Sequence, residues 1–115
     1  EFHSLQKDSE IGDPRIIDNM ADSRDFLDTA EIMRGLDLVL SVDTAVAHVS
    51  GSVGRPTWLL NRHDSCWRWG FSGESTSWYP SMRIFRQPSM MDWKPVVHEV
   101  RRELKVAVDN DAQSL

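Results

Sequence analysis

At 115 residues the chain fits one domain with a modest core. Its formal net charge of -5 and pI near 5.2 argue against general nucleic-acid binding, which needs a basic surface. No apolar run approaches the roughly 20 residues of a membrane span, no signal-peptide pattern is visible, and the single cysteine, Cys66, excludes an internal disulfide and suits a reducing, cytoplasmic compartment. Arginine outnumbers lysine ten to three, and planar guanidinium favours phosphate and carboxylate partners.

Phe2-His3-Ser4-Leu5-Gln6 and Arg15-Ile16-Ile17-Asp18 read as two short strands. Only about eight residues separate them, fewer than a helical crossover between parallel strands needs, so one is expected to be an edge strand or extended loop. Asp25 is a candidate N-cap for a helix to about Leu36, with Phe26, Ala30 and Met33 on one face and Gly35 near its end. Leu38-Val39-Leu40 follows as a buried strand. The turn Ser41-Val42-Asp43-Thr44 leads into a helix of small residues that stops before Gly54-Arg55-Pro56. Val46, Val49 and Val53 recur at the spacing of one helical face and are expected to pack on the sheet.

Thr57-Trp58-Leu59-Leu60 is the next strand. Residues 61–80, polar and aromatic with Gly70 and Gly73, read as a long loop with at most a short turn, and such loops are usually functional or disordered. Met82-Arg83-Ile84-Phe85-Arg86 returns as a strand. Asp92 is a candidate cap for a last helix in which Trp93, Val96, Val97, Val100, Leu104 and Ala107 form an amphipathic stripe. Pro95 falls in its first turn, where a missing amide costs little, and the tail 109–115 is expected to fray and be disordered. Strand–helix alternation predicts an α/β fold over residues 1–108, a Rossmann-like three-layer parallel sheet. Five strands with three helices fall short of a complete doubly wound domain, so the domain is expected to be truncated, without its first strand and helix.

The stretch from Ser41 to Gly51 is the candidate site. Open α/β sheets bind ligands at the carboxyl ends of their strands, and free amides at a helix start attract anions, phosphate above all. His48 lies four residues after Thr44 on the same side of the helix, and its side chain leans back toward the helix start. There it can donate to a phosphate oxygen or a sugar hydroxyl, or be an ordinary structural histidine. Two roles compete for Asp43. As an N-cap it would satisfy the first amides and serve structure alone. A carboxylate on those amides repels phosphate, so if a diphosphate binds, Asp43 must turn aside and accept from a neutral hydroxyl, leaving phosphate to the amides of Thr44 and Ala45.

Several separated segments carry a resemblance. They are Phe2-His3-Ser4-Leu5-Gln6-Lys7, Asp28-Thr29-Ala30, the run Leu38 to His48 with Gly54-Arg55-Pro56, Trp67-Arg68-Trp69, Ser77-Trp78-Tyr79-Pro80-Ser81-Met82-Arg83 and Phe85-Arg86-Gln87-Pro88. In this order they resemble the C-terminal part of bacterial tetratricopeptide-repeat glycosyltransferases, related to family 9 heptosyltransferases and O-GlcNAc transferase-like enzymes. The resemblance implies a GT-B glycosyltransferase, in which two Rossmann-like domains face a cleft and the C-terminal one holds a nucleotide-sugar donor. The family's Asp-Thr-x-x-x-His helix start maps to Asp43, Thr44, Ala45 and His48, on donor diphosphate and sugar. By the same resemblance Phe26 would lie near the base, and Gln6 and Lys7 would be base or ribose contacts. No metal or other cofactor is implied, the nucleotide-sugar being a substrate. The expected partners are that donor, an N-terminal GT-B domain and the repeats, without which the chain should not catalyse transfer alone. The chain departs from the family pattern at Asp8 and Cys66.

Other readings stand beside this one. His3, His48, His63, Asp64 and Asp43 are metal-ligand types, but none has the tight spacing of H-E-x-x-H. Cys66 lacks His and carboxylate partners that the sequence can place beside it. Trp67 and Arg68 are candidates for the cleft wall; alternatively Trp67 and Trp69 cover a sheet edge while Arg68 points outward. Arg55 reads as a surface residue. A non-catalytic nucleotide-binding or protein-interaction module is the second functional reading.

Overall fold

The structure, a computed structural model, describes residues 2–5, 13–18, 25–64, 67–70 and 72–114, with the backbone alone for Trp67 and residues 111–114. Gln6, Lys7, Asp8 and Cys66 lie outside the described residues. The element order is β1 (Phe2–Ser4), β2 (Ile16–Asp18), α1 (Phe26–Arg34), β3 (Val39–Ser41), α2 (Ala45–Ser52), β4 (Thr57–Asn61), a 3-10 turn (Trp67–Trp69), β5 (Met82–Arg86) and α3 (Lys94–Ser114). The molecule is α/β, and among the described residues every strand pair is parallel.

The strands form two sheets where the alternation pattern predicts one. β1 pairs with β2, Phe2 opposite Ile16, and β3, β4 and β5 pair in that order. Three-residue strands such as β1 and β2 offer few ladder bonds and expose Phe2, Ile16 and Ile17. Each is an edge strand of this two-stranded sheet, and the two pair in parallel despite the short spacing between them.

The larger sheet is covered on both faces. Side chains alternate along β4 and β5, so Leu59 and Ile84 face one way while Trp58, Leu60 and Phe85 face the other. On the first face Ala47 of α2 meets Leu59, Met82, Ile84 and Trp69, with Tyr79 packed against them. On the second, Val96 and Val100 of α3 meet Phe85, with Trp58, Leu60 and Trp93 at the margin. The long connection between β4 and β5 thus behaves as a core element, carrying Trp69 into the same layer as α2.

Local chemistry explains the helix bounds. Asp25 caps α1, its carboxylate accepting from the Asp28 amide at 2.9 Å, and Gly35 closes the helix. The buried face is Thr29, Ala30 and Met33, whereas Phe26 is 66% exposed. In α2 the expected valine stripe is replaced by Ala47, Ser50 and Gly51, the small residues that let the helix lie close to the sheet. Ser50 Oγ lies 2.6 Å from Thr57 Oγ1, a buried hydroxyl pair that a valine could not make. α3 starts at Lys94, so Trp93 rather than Asp92 flanks it, and its helical backbone passes Asp109, where fraying is expected, to Ser114. Its buried side is narrower than the stripe, with Val97 54% exposed.

Candidate functional site

Strand β3 ends at Ser41, and a two-residue turn brings the chain to Thr44, the N-cap of α2. Asp43, the expected cap, stands one position earlier. Thr44 has extended backbone and makes no side-chain cap hydrogen bond. The first-turn amides of α2 therefore receive nothing from the Thr44 side chain; the amide of Ala47 donates to the Thr44 carbonyl at 3.1 Å, while those of Thr44 and Ala45 precede the first bond an α-helix makes within itself. Ser41 Oγ donates to the Val42 carbonyl at 2.7 Å and lies 3.4 Å from Thr44 Oγ1, which holds the turn together.

Asp43 reaches across to His48. Its Oδ1 is 4.0 Å from Nε2 of the imidazole, and both side chains are partly exposed, 26% and 33%. The other ring nitrogen of His48, Nδ1, is 2.9 Å from the Tyr79 hydroxyl. Tyr79 and Trp69 both come from the β4–β5 connection. The His48 ring centroid is 5.2 Å from that of Trp69 and 5.7 Å from that of Tyr79, the latter edge-on. Trp69 is 1% exposed and its indole Nε1 has no hydrogen-bond partner among the described residues. The row Asp43–His48–Tyr79 crosses from the helix mouth to the core, and the sequence separates its members by 31 residues at the His48–Tyr79 step.

Gly51, one turn after His48, makes this row possible. A Cβ at position 51 would lie 2.5 Å from Tyr79 Cγ and under 3 Å from both Cδ atoms. The phenol ring rests on bare backbone, and only glycine leaves it room.

Of the sequence candidates, Asp43, Thr44, Ala45 and His48 are brought together at one helix start. Phe26 begins the neighbouring helix α1 and stays exposed, and Arg68 is exposed on the 3-10 turn. The carbonyl of Arg68 accepts from Thr76 Oγ1 at 3.0 Å. Trp69 is buried core, packed with Ala47 of α2 and Leu59, Met82 and Ile84 of the sheet face rather than over a sheet edge. Arg55 is not an ordinary surface residue, since its Nη1 donates to the Leu36 carbonyl at 3.1 Å and so ties the end of α1 to the start of β4. Among the described residues, no three His, Cys, Asp or Glu side chains converge as metal ligands. His63 and Asp64 are exposed, Asp64 pairing with Arg62 at 3.6 Å.

No family model, curated protein or solved structure matches this chain. Among the described residues no helix is long and apolar enough to cross a membrane. The site therefore stands on its own geometry: a helix start whose N-cap side chain makes no cap hydrogen bond, and beside it a carboxylate and an imidazole 4.0 Å apart.

The loop that supplies Tyr79 and Trp69 is anchored by Arg86 on β5. Its guanidinium donates to the carbonyls of Gly73 at 2.8 Å, Gly70 at 3.0 Å and Ser72 at 3.3 Å, and to that of Trp69. Burial lowers the pKa of this guanidinium from its ordinary value, yet arginine stays charged at any working pH. Missing from the sequence reading were Tyr79 as a partner of His48, Gly51 as the gap it fills, and Arg86 as the loop anchor. The weak signal for the first two was a glycine inside a helix, which costs stability unless close packing requires it.

Proposed function

We propose that the chain is the nucleotide-sugar-binding domain of a GT-B glycosyltransferase, its Rossmann-like C-terminal half, acting with an N-terminal domain that brings the acceptor. The observation that carries this reading is the start of α2, where the Thr44 side chain caps no amide while Asp43 stands beside His48. A diphosphate on the amides of Thr44 and Ala45 would meet the positive end of the helix dipole. The carboxylate of Asp43, displaced from that spot, is free to accept from a sugar hydroxyl without repelling the phosphate. As the bond to the sugar breaks, negative charge grows on the departing diphosphate, and fixed amides stabilise such charge without reorganisation. The resemblance to tetratricopeptide-repeat glycosyltransferases supports the same assignment.

Calorimetric titration with UDP, ADP, UDP-glucose and ADP-glucose tests this, in wild type and Asp43→Ala. One nucleotide class should bind, and the substitution should weaken the nucleotide-sugar by about tenfold while sparing the free nucleotide, as loss of a hydrogen bond to a charged acceptor predicts. Absence of binding by all four, or equal affinity of mutant and wild type, refutes the site.

A binding module without catalysis is favoured by one feature. Phe26, Leu27, Leu40 and Val42 are exposed apolar side chains around α1 and β3, suited to a protein contact. Nucleotide binding with no sugar transfer in the complete protein would select that reading.

A further inference from the structure

We infer that Tyr79 is a positioning residue for His48, and that the Asp43–His48 pair it sets up reads one hydroxyl group of the ligand; the second half of this statement rests on the donor-binding function proposed above. The two ring nitrogens of His48 face different groups. Nε2 looks toward the Asp43 carboxylate at 4.0 Å, and Nδ1 toward the Tyr79 hydroxyl at 2.9 Å. A neutral imidazole has one N–H, and its position follows from what each nitrogen faces. A carboxylate accepts only, so it favours the proton on Nε2, whereas a phenol can donate or accept. The consistent arrangement has Tyr79 donating to Nδ1 and His48 carrying its proton on Nε2.

Among the described residues that proton has no direct partner, because 4.0 Å to Asp43 is too long for a hydrogen bond. The gap suits an inserted hydroxyl. An oxygen about 2.8 Å from both atoms would accept from Nε2–H and donate to Oδ1, with an angle near 90° between the two contacts. One hydroxyl would then satisfy an acceptor and a donor at once, and a phosphate oxygen, having no proton to give Asp43, would not. The pair thus selects a sugar hydroxyl over a second phosphate at this position.

Tyr79 can hold this geometry because its own position is fixed on three sides. The ring lies on Gly51, sits with centroid 6.1 Å from that of Trp69, and joins the core formed by Ala47, Leu59, Met82 and Ile84. A buried wall behind His48 sets the ring plane, and the phenol sets the tautomer.

The test combines nitrogen NMR with titration. In the 115-residue chain in mildly alkaline solution, long-range proton–nitrogen correlations of His48, assigned with His48→Gln, should show Nδ1 as a hydrogen-bonded acceptor and Nε2 protonated. In Tyr79→Phe the Nδ1 resonance should move to the position of a free acceptor, with the thermal melt close to wild type. UDP-glucose or ADP-glucose affinity should fall by about three- to tenfold in this variant, while the matching free nucleotide binds as before. A protonated Nδ1 in wild type, or an unmoved Nδ1 resonance in Tyr79→Phe, overturns the positioning role. Equal losses for free nucleotide and nucleotide-sugar overturn the hydroxyl reading. Failure of wild type to bind any of the four ligands overturns the donor function and the hydroxyl reading with it, and the resonances still decide the hold of Tyr79 on the ring.

Discussion

Gly51→Ala offers a sharp test of the packing that carries the site. In a helix this exchange ordinarily stabilises, by about 0.8–1 kcal/mol, because alanine loses less backbone freedom than glycine. Here the new methyl would lie 2.5 Å from Tyr79 Cγ, with 2.7 and 2.8 Å to the ring's Cδ atoms. Carbon contacts are comfortable at about 3.5–4.0 Å, so the ring must retreat by roughly 1 Å. The near end of the ring is the part that clashes, and no rotation about its own axis relieves it. Overpacking of this kind costs about 1–3 kcal/mol. The net expectation is a loss of about 1 kcal/mol, a fall in Tm of about 4 °C for a domain of this size. The retreat should also break the Tyr79–His48 hydrogen bond, now 2.9 Å. Gly35→Ala is the control, since its Cβ would be 3.5 Å from the nearest atom, the Ile32 carbonyl oxygen, and its φ of -87° suits any residue. That variant should be neutral or more stable by about 0.5 kcal/mol. Denaturant melts of both, read by tryptophan fluorescence, decide the matter. A Gly51→Ala chain as stable as Gly35→Ala, with His48 resonances unchanged, refutes the close packing of Tyr79 on α2.

Two further substitutions probe the frame around the site. Arg86→Ala removes the guanidinium that ties together the carbonyls of residues 69, 70, 72 and 73, and should cost about 2–3 kcal/mol in urea melts; limited proteolysis should then cut the 70–74 segment first, and a stable, uncut variant counts against the anchor. Leu59→Ala empties a fully buried position between α2 and β5 and should cost about 3 kcal/mol by the same melts. A loss under about 1 kcal/mol would mean that this face of the sheet is not the packed core.

Arg83 shows how the second face is held without deep burial. Its guanidinium lies 4.7 Å from the Phe85 ring and 5.7 Å from the Trp58 ring, and pairs with Glu74 and Glu103 at 3.4 Å each. Burial acts to lower its pKa, but the two carboxylates outweigh it and raise the value. The arrangement joins β5 to α3 and to the loop through groups that stay partly in water, where such pairs contribute modestly.

Local chemistry was legible where a residue acts on its near neighbours. The Asp25 cap, the Gly35 stop, the β5 run Met82–Arg86 and the placement of Asp43, Thr44, Ala45 and His48 around one turn all follow from spacing of a few residues. Local patterning failed where two surfaces compete for one helix. In α2, valines look like the inner face, yet alanine, serine and glycine take it, because the sheet and Tyr79 come too close for branched side chains. Asp43 looks like the cap, yet Thr44 occupies that position and the carboxylate lies beside an imidazole.

By itself, then, the sequence determined the α/β class, the parallel pairing of β3 with β4 across α2, and the helix start that gathers the candidate site. Only the tertiary structure decided that the strands divide into two sheets, that Arg55 and Arg86 are anchors, and that His48 is held by Tyr79 from a distant loop. The reason is range: caps, turns and periodicity act over one or two turns of chain, whereas the state of an imidazole depends on whichever groups packing brings to its two nitrogens.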